Sequence, residues 1–150
     1  MPAAATTLPV DANAPAVARR WLADVAGGWA LDRSLCTDGM LLLSELVTNV
    51  FEHASETPRV HVQILWHWPT LSVAVTDASP VHPVIREPAP SEFRGYGMQL
   101  IAGLARRWGS EPYPGGKRVW VELAAPDAPP WTLEPSAIDE TLERILRDNG

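Results

Sequence analysis

The sequence has little cysteine, little lysine and no long hydrophobic run. Its one cysteine, Cys36, excludes an internal disulfide bond and any metal site built from several cysteines. A net charge of −6 provides no basic surface for nucleic acid or an anionic membrane. No apolar stretch approaches the roughly 18 residues that a membrane span requires, and residues 1–10 do not resemble a secretion signal. We therefore predict a soluble, cytoplasmic protein.

The length and composition are those of one globular domain. The chain has 150 residues, of which 46% are hydrophobic and 20% charged, which suffices for a single core. We predict that residues 1–125 form this domain. Residues 126–150 begin with a proline-rich linker, and Ser136 and Asp139 then resemble a capping box that opens a short helix. The apolar stripe of that helix is expected to dock on this domain or on a partner.

Hydrophobic periodicity predicts two helices followed by a hairpin. Apolar residues recur at helical spacing over residues 11–27 and, more strongly, over residues 35–53. Strict alternation over residues 60–64 and again over residues 71–75 predicts two antiparallel strands joined by a turn. Residues 1–7 are small and polar and are expected to form a loose end.

The second half of the chain predicts a long loop, a helix and a strand. Residues 78–94 are rich in proline, which leaves no room for a regular element. Helical spacing returns over residues 97–108, and a Pro-Gly-Gly turn at 114–116 precedes a strand over residues 119–123. The resulting fold class is α/β of the α+β kind. It is a two-layer sandwich with helices on one face of a mainly antiparallel sheet.

Polar residues form a line along the second helix. Glu45, Asn49 and His53 follow one another at intervals of four residues and therefore share one face. An acid and an amide in this arrangement can hold Mg²⁺, which takes few protein ligands when phosphates supply the rest, and can activate a hydroxyl group. The alternative is an ordinary solvated helix face.

Asp77 ends the second strand of the hairpin. It has the same parity as Leu71, Val73 and Val75, so its side chain is expected to point to the buried face. An unpaired buried charge is costly, so the carboxylate needs a partner. That partner is either the local backbone, as in an Asx-turn, or the amino group of a ligand.

Glycines mark the entrance to the third predicted helix. Gly95 and Gly97 would allow the phosphates of a ligand to approach backbone N–H groups at a helix N-terminus. The same Gly-x-Gly pattern also serves as a bare turn, and it is neither a Rossmann fingerprint nor a P-loop.

Taken together, these segments resemble the GHKL ATPase superfamily, which includes histidine-kinase catalytic domains, gyrase and anti-sigma-factor kinases. Residues 45–54 resemble its N box, Asp77 falls in its first glycine box, residues 95–101 resemble its second glycine box, and residues 116–120 its closing hairpin. The resemblance covers about residues 8 to 124. The phrase Ser-Glu-Leu-Val-Thr-Asn is most similar to stand-alone actinobacterial regulators related to anti-sigma-factor serine/threonine kinases.

The resemblance implies a Bergerat-type ATP-binding fold and a role for each matching residue. Asn49 would bind the Mg²⁺ that bridges the ATP phosphates, and Glu45 would be the general base. Asp77 would accept a hydrogen bond from the adenine amino group and so select adenine over guanine. His53 would lie near the phosphates. Chemically, this is phosphoryl transfer by positioning and charge neutralisation.

The second glycine box would complete the nucleotide site. Gly95 and Gly97 would let the lid and the following helix close over the phosphates, with Leu100 in the same ATP-contacting segment. The first glycine box departs from the family pattern, because Ala78 and Ser79 precede Pro80 where the family has Asp-x-Gly-x-Gly. Both expected glycines are absent, and only the aspartate remains.

Two functions follow from the resemblance. The first is a Mg·ATP-dependent protein serine/threonine kinase that acts as an anti-sigma factor on a sigma factor or its antagonist. The second is a non-catalytic protein-binding regulator with a degenerate nucleotide site. Neither contacts nucleic acid or membrane directly, and members of the family often form homodimers.

Overall fold

The computed structural model describes residues 1–54, 56–79, 101 and 103–128. Their strands form one five-stranded antiparallel sheet in the order β1-β2-β3-β5-β4. Helix α2 packs on β3 and β5, and α1 packs on α2 and β1. The predicted two-layer sandwich is therefore confirmed. The elements are β1 (Ala3–Pro9), α1 (Ala14–Gly27), α2 (Arg33–His53), β2 (Arg59–His67), β3 (Thr70–Asp77), β4 (Arg107–Tyr113) and β5 (Gly116–Ala124).

Helix α2 begins at a side-chain cap and carries most of the helical core. The Asp32 carboxylate accepts hydrogen bonds from the backbone N–H groups of Ser34 and Leu35, which otherwise have no partner inside the helix. The hydroxyl of Ser34 and these N–H groups lower the pKa of Asp32. The buried stripe of α2 ends at Val50, and the next residue, Phe51, is 44% exposed.

The buried stripe of helix α1 consists mostly of alanine. Its buried residues are small or follow at intervals of four, namely Ala14, Ala18, Leu22 and Ala26. Trp21 and Val25 pack against the edge of the core, whereas Val17 is 41% exposed. Three of the four residues on the inner stripe are alanines, and Leu22 is its one large side chain.

The hairpin of β2 and β3 forms as predicted and places the core between sheet and helices. Val62 pairs with Val75 and Ile64 with Val73, and all four side chains are buried. Strand β3 also pairs with β5. Because side chains alternate along a strand, β3 and β5 each direct one row of apolar residues towards α2.

Two predictions about secondary structure were wrong. Residues 1–7 were expected to form a loose end, but from Ala3 onward they belong to β1, which pairs along β2 and buries Leu8. The third helix does not reach residue 108, because its last helical residue is Leu104 and Arg107 begins β4. In both segments pairing with a neighbouring strand outweighs the local pattern.

Several predictions fall on residues outside the described part of the chain. These are the loop from residue 80 onward, the second glycine box and the C-terminal helix after residue 128. Within the described ranges, none of the helices combines the length and the apolar character needed to cross a membrane.

Candidate functional site

Helix α2 places Glu45 and Asn49 one turn apart on the border of the core. Both residues are half-buried, and the apolar residues beside them on the helix are buried. His53 follows one turn later, and its side chain is 61% exposed at the end of the helix. The polar line predicted from the sequence is therefore a partly shielded acid and amide that lead to an exposed imidazole.

Two effects raise the pKa of Glu45. The larger is desolvation, because a half-buried carboxylate loses part of the water that favours its charged form. The smaller is repulsion from Glu52, which lies two turns later on the same helix. A carboxylate with a raised pKa accepts a proton more readily than an ordinary surface glutamate.

Asp77 is buried at the end of β3, on the side that the alternation of its strand predicts. Its carboxylate does not lack a partner: Lys117 Nζ lies 2.9 Å from Oδ2 and donates to Oδ1 at 3.1 Å. The backbone N–H of Ser79 also donates to Oδ1, at 2.8 Å. The Asx-turn and a charged partner thus occur together, and the ammonium group compensates the buried charge.

Lys117 is the residue of this site that the sequence analysis did not single out. It lies directly opposite Asp77 in the pairing of β3 with β5. Its parity matches that of Val119, Val121 and Leu123, whose side chains are buried. Alternation along β5 therefore predicts an inward side chain for Lys117, just as alternation along β3 predicts one for Asp77.

A hydrogen bond to the side chain of Thr57 brings the end of α2 close to the end of β3. Thr57 lies four residues after the last residue of α2, and its hydroxyl accepts a hydrogen bond from the N–H of Ala78 at 2.9 Å. This hydrogen bond therefore links the segment that follows α2 to the segment that follows β3. The C-terminal half of α2 and the Asp77–Lys117 pair lie at the same end of the sandwich.

Gly116 allows β5 to begin directly against this strand end. A Cβ at this position would overlap the carbonyl oxygen of Asp77 and lie 2.7 Å from the Cα of Ala78. Only a residue without a side chain fits such an approach. The absent Cβ at residue 116 thus permits the contact that places Lys117 beside the carboxylate.

A second set of charged residues lies on the other face of the sheet. Glu122, which is fully buried, is paired with Arg107 at 2.7 Å, and Arg107 also lies over the ring of Trp120. Arg118 is paired with Glu111. Because these residues alternate with the core-facing ones of β5, they are separated from the Asp77 site by the sheet itself.

The remaining predicted site residues lie outside the described ranges. Gly95, Gly97 and Leu100 belong to this group. In the described part of the chain, no group of three or more His, Cys, Asp and Glu side chains could hold a metal ion by itself. A metal ion bound beside α2 would therefore need ligands from another source, such as phosphate oxygens or water.

These features define a two-layer α+β domain with a polar site at one end of the sheet. The model of the histidine kinase-like ATPase domain family matches residues 8–123. The chain belongs to this family, and the resemblance to the GHKL superfamily is confirmed. Membership of an ATPase family implies ATP binding.

A solved structure has the same fold. The protein is similar to the crystal structure of the RsbU and RsbW domains of Rv1364c from Mycobacterium tuberculosis, with a TM-score of 0.63 and 18% sequence identity. The match covers 83% of this chain and 33% of that one, so the protein spans about a third of its structural neighbour. A comparison with curated protein sequences finds no match.

Proposed function

We propose that the protein binds Mg·ATP and transfers its terminal phosphoryl group to a serine or threonine of another protein. In this proposal it acts as an anti-sigma factor on a sigma factor or its antagonist, in the cytoplasm. The observation that carries the proposal is the half-buried Glu45–Asn49 pair at the same end of the sandwich as Asp77.

Glu45 is the general base of this proposal. Its raised pKa makes it a better proton acceptor than an exposed glutamate, while its half-buried position still leaves it reachable from the site. It would take the proton from the hydroxyl group of the protein substrate as the oxygen attacks the terminal phosphorus, while the bond from that phosphorus to the bridging oxygen breaks and ADP leaves.

Asn49 fits the role of the one protein ligand to a magnesium ion. Its amide oxygen is a hard donor of the kind Mg²⁺ prefers, and the family role leaves the other positions to phosphates and water. When bound, the ion neutralises the charge on the phosphate oxygens. His53, exposed at the end of α2, is proposed to lie near the phosphates, with Gly95, Gly97 and Leu100 completing the ATP site.

The proposed partners rest on two resemblances. The segment that contains Glu45 and Asn49 resembles anti-sigma-factor kinases, and the structural neighbour contains a domain named RsbW. We therefore propose sigma-factor regulators as the protein partners. We also propose that the protein forms a homodimer.

A second function is favoured by one specific observation. Ala78, Ser79 and Pro80 replace the family's first glycine box, and Lys117 already engages the Asp77 carboxylate. A protein that has lost ATP turnover could retain this arrangement and sequester its partner without catalysis.

Calorimetry with Mg·ATP, followed by transfer of labelled phosphate to candidate antagonist proteins, separates the two functions. We expect the unmodified protein to bind Mg·ATP with micromolar affinity. Glu45→Gln should keep this affinity but lower the rate of phosphoryl transfer by at least about 100-fold, since general-base catalysis contributes a factor of roughly 10²–10⁴. Asp38→Asn is the control, because it removes one negative charge from the same helix and should change neither quantity. Absence of binding heat would favour the non-catalytic regulator, and full transfer by Glu45→Gln would disprove its role as base.

A further inference from the structure

The only lysine of the chain is turned inward at the strand end that carries Asp77. Residues directly opposite each other in an antiparallel pair have Cβ atoms about 5 Å apart, so a lysine reaches its neighbour's carboxylate easily. Lys117 does so on the side of the sheet that faces α2, where Glu45 and Asn49 lie. The ammonium group therefore belongs to the same end of the sandwich as the rest of the proposed nucleotide site.

Among the residues that the structure describes, the hydrogen bonds of the pair leave one acceptor position on Asp77. An ionised carboxylate has about four such positions. Ser79 N–H and Lys117 use Oδ1, and Lys117 also lies against Oδ2. The position that remains is on Oδ2, next to the ammonium nitrogen at 2.9 Å. A further donor would therefore be accepted in direct proximity to Lys117.

The more accessible member of the pair is the lysine. Its side chain is 8% exposed, whereas that of Asp77 is 2% exposed. A group approaching Oδ2 thus meets the ammonium group as well. The Nζ atom also lies 3.4 Å from the carbonyl oxygen of Ser79, which holds the lysine along the strand end rather than letting it extend into solvent.

An acceptor beside a donor is complementary to the edge of adenine that carries its amino group. On that edge the exocyclic amino group is a donor, and the adjacent ring nitrogen N1 is an acceptor. We infer that Lys117 is a specificity-determining residue, whose ammonium group donates to N1 while Asp77 Oδ2 accepts from the amino group. The inference rests on the proposed function, because it concerns the base that the proposed ATP site contacts.

Lys117 has a simpler possible role, namely that of a counterion to Asp77 that never touches the ligand. Substitution alone does not separate the two roles, because removing the lysine leaves a buried carboxylate without compensation in either case. The ligand must therefore be changed together with the residue. The nucleotide 1-deazaadenosine triphosphate keeps the amino group but has a C–H group in place of N1.

The experiment is calorimetry of the full chain with magnesium and either ATP or 1-deazaadenosine triphosphate. For the unmodified protein we expect binding of the deaza nucleotide to be about 10- to 100-fold weaker, the range for a hydrogen bond from a charged group. In Lys117→Met, the two nucleotides should bind with about equal affinity, because the donor to N1 is missing. Arg107→Met is the matched control, because it breaks the ion pair between β4 and the buried Glu122 of β5 on the other face and should leave the discrimination intact.

The outcomes distinguish this inference from the proposed function. Equal binding of the two nucleotides to the unmodified protein would overturn the inference and leave ATP binding standing. Discrimination that persists in Lys117→Met would overturn it as well. Failure of the unmodified protein to bind either nucleotide would overturn both proposals. Should Lys117→Met not fold, Lys117→Gln provides the second variant, and its shorter neutral side chain is expected to abolish the discrimination too.

Discussion

At the scale of single residues, Glu45 illustrates a conflict between stability and proposed chemistry. Desolvation and the nearby Glu52 both disfavour its charged form, which is why its pKa is raised. A folded state that binds a proton more tightly than the unfolded chain loses stability as the pH rises. At neutral pH the ionised side chain therefore lowers the free energy of unfolding.

We expect Glu45→Gln to raise the thermal unfolding midpoint at pH 7. The difference between the midpoints of the variant and the unmodified protein should shrink as the pH falls through the raised pKa of Glu45. It should vanish below the ordinary glutamate pKa of 4.5, because the carboxyl group is then protonated in both the folded and the unfolded chain. Thermal unfolding followed by circular dichroism between pH 4 and 8 measures this. Asp38→Asn controls for the loss of one charge, and an unchanged midpoint in Glu45→Gln at all pH values would contradict the prediction.

The sequence predicts the burial of Asp77 but not how its charge is compensated. Parity along one strand suffices to turn a side chain inward, because the period of a strand is two. The pairing with Lys117 depends on the register between β3 and β5, and 38 residues lie between the end of β3 and the start of β5. No local pattern contains that register. The polar line on α2 was simpler to predict, since all its members share one helix.

At the scale of elements, the start of β5 depends on a missing Cβ. We expect Gly116→Ala to lower the free energy of unfolding by about 1–3 kcal/mol, because the added methyl group meets backbone atoms of Asp77 and Ala78 that cannot rotate away. Denaturant unfolding measures the loss. Gly27→Ala is the control, since nothing lies near its Cβ and the helix should gain about 0.4–1 kcal/mol. Equal stability of the two variants would refute the close approach.

The elements that were predicted well are those whose own residues bury a face. Helix α2 carries its apolar stripe over 21 residues, or about six turns. Strands β2 and β3 each show clear alternation. Strands β1 and β4 lack such a pattern, because β1 buries only Leu8 and β4 is half-buried along its length. Both are edge strands of the sheet. Their structure comes from backbone pairing with an inner strand, which sequence periodicity does not reveal.

At the scale of the whole molecule, ligand binding and stability are linked. A ligand that binds only the folded chain adds about 2.7 kcal/mol to the free energy of unfolding at 100 times its dissociation constant. We therefore expect Mg·ATP to raise the unfolding midpoint of the protein, and Asn49→Ala to reduce that shift strongly. Differential scanning fluorimetry with ATP, with and without magnesium, measures both. Magnesium without nucleotide is the control, and an equal shift in Asn49→Ala would argue against Asn49 as a ligand.

The ion pair of Asp77 and Lys117 also restricts how this protein can change over generations. Loss of either residue alone would leave a buried charge without compensation. This would lower the free energy of unfolding by about 3–5 kcal/mol, which is much of the stability of an ordinary domain. We expect the two positions to covary among relatives. Where a descendant replaces the lysine, the aspartate should persist only if another donor has taken over beside it.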